Sequence, residues 1–180
     1  MNLYLRFLLL LLRARGRPRL GLWDTARTPF RVAPSDLDPL LHMNNGKYLS
    51  IMDLGRLDLM IRSGTWARLR RRGWYPVVAA QTISYRRSLK LGQRFDLYTR
   101  ILGFDERWSY LEQSFVAGGE VSAQAVVRAR FLRRGGGSVD HDELEAFVGG
   151  FPKELRVPQW ALEWTAAGKP DREYRGPAGR

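Results

Sequence analysis

The sequence predicts an α+β fold in which an antiparallel sheet curls around one long central helix. Three observations point there: a helical segment from 46 to 63 that is apolar on nearly all sides, four long stretches of strand-type alternation after it, and tight connections between those stretches. A sheet with one apolar face needs a partner layer, and the long apolar helix is the element available to supply it. With 180 residues, 44% of them hydrophobic and 12% aromatic, the chain is composed for one well-buried domain.

The chain starts MNLYLRFLLLLLRARGRPRL, where an apolar run from Leu3 to Leu12 is broken only by Arg6. As a helix that run reaches about 15 Å, half a bilayer core, so it is too short to span one. A secretory signal places its positive charge before the apolar region, whereas Arg13, Arg15, Arg17 and Arg19 follow it here. The expected location is therefore cytoplasmic. Asn2, Arg6, Arg13 and Arg17 fall near one line of a helical wheel with leucines around the rest. Residues 1–22 thus read as an apolar and basic helix that either lies on a membrane surface, through residues 1–19, or packs on its own domain or a second subunit.

A short strand is expected from Thr28 to Val32, and a helix from Gly46 that closes at Gly64, capped by Asn44 or Asn45. Tyr48, Ile51, Met52, Gly55 and Leu59 make one apolar face, while Leu49, Leu54, Leu57, Met60 and Ile61 extend it around the cylinder, the mark of a buried helix. Asp58 and Arg62 are spaced to pair, and Gly55 to admit a close neighbour. After TWARLRRRG the period changes: Val77, Ala79, Gln81, Ile83 and Tyr85 share one face of a strand. QRFDLYTRILGF, RWSYLEQSFVA and EVSAQAVVRARFLRR follow, joined by GFDER and AGGE in a meander. RRGGGS closes the core and Leu144 to Val148 gives a short helix, so 28–150 reads as a single domain. Residues 151–180 are a C-terminal extension that frays from about Gly168.

The absence of cysteine excludes a disulfide framework, a thiolate zinc site and a cysteine nucleophile together. Thirty Lys+Arg against 18 Asp+Glu give a net charge of +12, which attracts polyanions: nucleic acid, anionic lipid or a phosphorylated cofactor. Trp66, Trp74 and Tyr75 near Arg68 to Arg72 could form a stacking patch for nucleic acid, but no recognition motif accompanies them. Nucleic acid is therefore disfavoured as a partner.

Chemistry concentrates in DLDPLLHMNN, residues 36–45. Metal binding by Asp36, Asp38 and His42 lacks further ligands at defined spacing, and His141 is the only other imidazole, so no metal is expected. Aspartates before a helix also serve as turn and cap residues. The order of edge strand, D-L-D-P-x-x-H-x-N-N, buried helix and four-strand meander resembles the hotdog-fold thioesterases of the 4-hydroxybenzoyl-CoA type. The resemblance covers about Thr28 to Arg134. It is similar in particular to the thioesterase-superfamily-member subgroup, whose S-D-L-D-x-L-L-H-M-N-N matches from Ser35 onward.

The resemblance implies hydrolysis of acyl-CoA or acyl-carrier-protein thioesters, with Asp38 as nucleophile or base, His42 orienting the carbonyl or Asp38, and a backbone N–H at Asn45 or Gly46 as oxyanion donor. It also implies a homodimer or homotetramer, and CoA or phosphopantetheine as part of the substrate with no separate cofactor. The plant acyl-carrier-protein enzymes carry a functional asparagine where Leu40 stands here, so their full constellation is absent. Arg86, Arg87, Lys90, Arg128 and Arg130 are the candidates for CoA phosphates, and Asp36 is assigned to the turn. The alternative is a non-catalytic acyl-binding or membrane-associated hotdog protein. Independently of any relative, a helix N-terminus beside a carboxylate supplies both groups that thioester hydrolysis needs.

Overall fold

The computed structural model describes residues 3–168. In chain order these form α1 (Leu3–Arg15), β1 (Ala26–Arg31), α2 (Asn45–Arg62), α3 (Thr65–Arg71), β2 (Trp74–Tyr85), β3 (Arg94–Phe104), β4 (Ser109–Ala117), β5 (Glu120–Arg133), α4 (His141–Val148) and α5 (Gln159–Ala167). The five strands make one antiparallel sheet in the order β1-β3-β4-β5-β2. The α+β architecture with a helix in the hollow of a curled sheet is the one expected.

The strands alternate between two faces, and the inner set packs on α2. Tyr48, Ile51 and Met52 of α2 meet Phe95, Leu97, Phe115, Ala125 and Val127 of the sheet, all buried. Gly55 sits where the helix touches the sheet: a Cβ there would lie 2.5 Å from Leu97 Cδ2 and 2.8 Å from Thr99 Oγ1. Beneath it Gln113, fully buried, donates to Thr99 Oγ1 and to the Met52 carbonyl and accepts from Arg56, so the polar side chains under the helix satisfy one another. Asp58 and Arg62 pair at 3.3 Å as their spacing foretells.

Three elements differ from the sequence reading. The TWARLRR segment is a helix, α3, started by the left-handed Gly64 rather than by a side-chain cap, which is why no capping signal marked it. The alternation of β2 is interrupted by a bulge between Val78 and Ala80, so its residues do not hold one face along their whole length. The C-terminal extension is ordered as far as α5, whose Ala161 and Leu162 cover Leu102, Tyr110 and Val126 on the outer face of the sheet. Beyond Gly168 the expected fraying lies outside the described residues.

The N-terminal helix also departs from expectation in its orientation. Arg6, on the polar line of the wheel, is 5% exposed and ion-paired with Asp36, which is 1% exposed. Arg17 likewise turns inward to Asp58 at 2.9 Å. Leu10 packs on Leu54 and Leu57 of α2. The carboxylates of Asp36 and Asp58 draw the arginine side of α1 and of its following segment onto the domain, leaving the leucine side outward.

Candidate active site

The segment 33–45 is a small self-bonded loop. A 3-10 turn at Pro34–Asp36 is closed by the Asp36 N–H on Ala33 O, and the Asp36 carboxylate accepts from the Ala33 N–H at 2.8 Å. Asn44 N–H then donates to Asp36 O at 2.8 Å, which brings the end of the loop back to its beginning. Between them Asp38 N–H bonds to His42 O at 2.9 Å, and Asp38 Oδ1 accepts from the Leu40 N–H at 2.9 Å and the His42 N–H at 3.3 Å. Leu41 closes the tip in the left-handed region, φ 60, a conformation that costs a leucine on the order of 1 kcal/mol or more. Asp36 is thus locked in the fold, while Asp38 is half-buried with Oδ1 pinned and Oδ2 outside those bonds. The two acids of the D-x-D take separate partners.

The same loop starts α2. Asn44 caps it, its Oδ1 accepting the Gly46 N–H at 2.9 Å. The Gly46 N–H is therefore committed to the cap, and the Asn45 N–H is the first-turn donor that the cap leaves. Asp38, His42 and Asn45 line one polar pocket of about 220 Å³ together with Tyr48, Tyr85, Arg86 and Arg87. Lys90 adjoins it through the bridge between its backbone and that of His42.

The candidate phosphate ligands divide. Arg86 and Arg87 flank the pocket, although Arg87 is also paired with Glu120. Arg128 and Arg130 do not belong to it. They lie on the outer face of β5, where Arg128 is 7% exposed, stacks 4.5 Å over Trp108 and donates to Thr165 O in α5, and Arg130 lies 5.4 Å from the same ring. Strand alternation sends even positions of β5 outward; Trp108 and α5 cover Arg128, while Arg130 stays exposed. Arg68 stacks on Phe147 and Arg72 on the buried Trp74, while Tyr75 is exposed.

Sequence reasoning missed two tyrosines. Tyr48, buried, and Tyr85 meet edge to face at 5.1 Å, and Tyr85 Oη donates a long 3.4 Å bond to Asn45 O at the helix start. Burial pushes both phenols above their ordinary value of 10, so they stay protonated donors at neutral pH. Tyr48 was visible only as an apolar helix position. The tyrosine two residues before Arg87 had no signal beyond strand alternation.

A second cavity, about 250 Å³ and almost wholly apolar, runs between the later half of α2 and the inner face of the sheet, closed by α3 and α4. Pro76 and Val78 of β2 form one wall, and the pair Asp53 and Arg56 is its charged margin. Desolvation lowers the pKa of Arg56 against the opposing pull of Asp53. β2 is an edge strand of 12 residues, and along it Tyr75, Val78 and Tyr85 are exposed.

Residues 32–165 match the family model described as the thioesterase-like superfamily. Protein THEM6 of Xenopus laevis is 42% identical over 99 residues, 55% of this chain and 48% of that one. The chain spans about half the length of the curated relatives it matches. Among solved structures, YbaW of Escherichia coli superposes with a TM-score of 0.62 at 22% identity, covering 68% of this chain and 98% of that one. The DHNA-CoA thioesterase of Staphylococcus aureus gives a TM-score of 0.61 at 12% identity, over 82% and 97% respectively. These two likenesses establish the hotdog fold.

Proposed function

Because the chain belongs to the thioesterase-like superfamily, we propose that it hydrolyses acyl thioesters of CoA or an acyl-carrier protein, with Asp38 as the catalytic carboxylate. The observation that carries this reading is the pinning of Asp38 beside the open first turn of α2, in one pocket with Asn45. Asp38 takes a proton from water as the water oxygen attacks the thioester carbonyl. The carbonyl π pair moves to oxygen, where the Asn45 N–H and the positive end of α2 hold the charge. Collapse re-forms the C=O, breaks the C–S bond and expels a thiolate, which takes up the proton from Asp38. His42 walls the pocket and orients the carbonyl. Arg86, Arg87 and Lys90 receive the phosphates of CoA.

One copy holds the carboxylate and the acyl cavity apart. β2 spans 74 to 85, so pairing it antiparallel with its counterpart about its midpoint sets the Tyr85 end of one copy against the Trp74–Pro76 end of the other. The polar pocket adjoins the first end and the apolar cavity the second. We read the working unit as a homodimer in which one chain supplies Asp38 and the other the acyl cavity.

The test is turnover of a panel of short, long and aromatic acyl-CoAs by the wild type and Asp38→Asn. The variant keeps the shape but has no anionic base, so kcat should fall about 100-fold or more while KM changes little. Melting temperature and mass must match the wild type. A folded Asp38→Asn protein that turns over its best substrate at the wild-type rate would refute the mechanism and favour an acyl-binding role.

A further inference from the structure

We propose that α1 and the cavity beneath it form a docking site for acidic phospholipid at a bilayer surface. An ordinary surface helix buries apolar residues and exposes polar ones; α1 buries Arg6 beside Leu10 and Ala14 and exposes much of its leucine surface. Arg6 is held inside by Asp36, while Leu5, Phe7, Leu8 and Leu12 are 40–57% exposed. Such a contiguous apolar face marks an interaction surface. The helix has 13 residues, about 20 Å, and no described helix is long and apolar enough to cross a membrane, so it lies along an interface.

The cavity names the headgroup. Between α1 and β1 a space of about 250 Å³ is lined by Arg6, Arg13, Arg17 and Arg31, with Leu9 and Phe30 among its apolar walls. Its one carboxylate, Asp58, holds Arg17, Thr28 and Arg62 on Oδ2, while its Oδ1 is buried without a donor. Among the described residues neither Arg13 nor Arg31 has a carboxylate partner. Arg6 Nε is a buried donor with no acceptor. Four arginines on one cavity, Arg31 also donating to Gly92 O, suit the oxygens of a phosphate, and the leucines above suit its acyl chains. A second copy of the chain would cover the leucines but bring no anion to the arginine-lined cavity beneath them. Through the Arg6–Asp36 pair the docked helix would be tied to the loop that bears Asp38.

The full chain is cosedimented with vesicles of phosphatidylcholine alone and of phosphatidylcholine with phosphatidylglycerol. Binding should favour the acidic vesicles and weaken in salt. Leu5→Glu with Leu8→Glu, and separately Arg13→Glu with Arg31→Glu, should each lower it about tenfold or more at unchanged melting temperature. Equal binding of wild type to neutral and acidic vesicles overturns the proposal without recourse to any variant. So does wild-type binding by the Leu5→Glu, Leu8→Glu protein. Loss of vesicle binding in millimolar inorganic phosphate at constant ionic strength would mark a site for free phosphate instead. A fall in oligomer mass on Leu5→Glu, Leu8→Glu would mark a contact between copies.

Discussion

Asp36 and Asp38 are chemically identical and two positions apart, yet their surroundings give them opposite duties. Asp36 is sealed against Arg6 and the Ala33 N–H, whereas Asp38 keeps an oxygen outside its bonds. Asp36→Asn should leave Arg6 as an uncompensated buried charge and cost about 3–5 kcal/mol of stability, read as a lower denaturant midpoint. The sequence assigned Asp36 mainly to the turn, which it does serve at the Ala33 N–H; its partner 30 residues earlier on a leucine-rich helix leaves no local mark. Gly55 is a contrasting case, for its role was legible from the helix alone. Gly55→Ala gains about 1 kcal/mol in helix propensity but forces its methyl onto the immobile Leu97 and the Thr99–Gln113 bond. Overpacking at about 1–3 kcal/mol wins. A net loss of stability should follow, and an unchanged midpoint would show that the helix can lift off the sheet.

Among the elements, β2 decides what the fold can do. An exposed strand of 12 residues is a template for pairing, and a lysine on it is the usual deterrent. Ala79→Lys, near the strand's midpoint, should shift the mass toward the 20.7 kDa of one chain and reduce hydrolysis, while the circular dichroism of the fold persists. Strand existence was plain from period-two alternation, but the bulge at Val78/Ala80 was not, since it depends on the partner strand. The helices split by their caps. α4 was expected from Leu144 to Val148 and in fact starts at His141 under the Asp140 cap, whereas α5 follows Pro158 with no side-chain capping bond and is held by contact with the sheet. The candidate site was legible for the opposite reason: D-L-D-P-x-x-H-x-N-N is contiguous, while Tyr85 and the apolar cavity are assembled from distant segments.

At the scale of the molecule, Tyr110 joins three parts, its phenol on β4 donating to Asp105 and accepting from the Thr165 hydroxyl of α5. Burial, helped by the Asp105 hydrogen bond, pushes its phenol up to about 12 from the ordinary 10. The folded chain therefore holds this proton more tightly than the unfolded one. Its contribution to stability is complete below pH 10 and is lost between 10 and 12. Melting temperature should fall through that range, and Tyr110→Phe should flatten the fall; an unaltered slope would assign it to other groups. The two rims of the sheet are unlike. β2 is long and bare, while β1 has six residues with Pro29 among them, a residue that cannot donate to a neighbouring strand. Polymerisation needs a reactive group at each end of the monomer, and a unit with one is a chain stopper. On the proposed pairing through β2, the difference between the rims predicts a growth limit of two: raising the concentration should fill pairs, near twice 20.7 kDa, and not lengthen fibres.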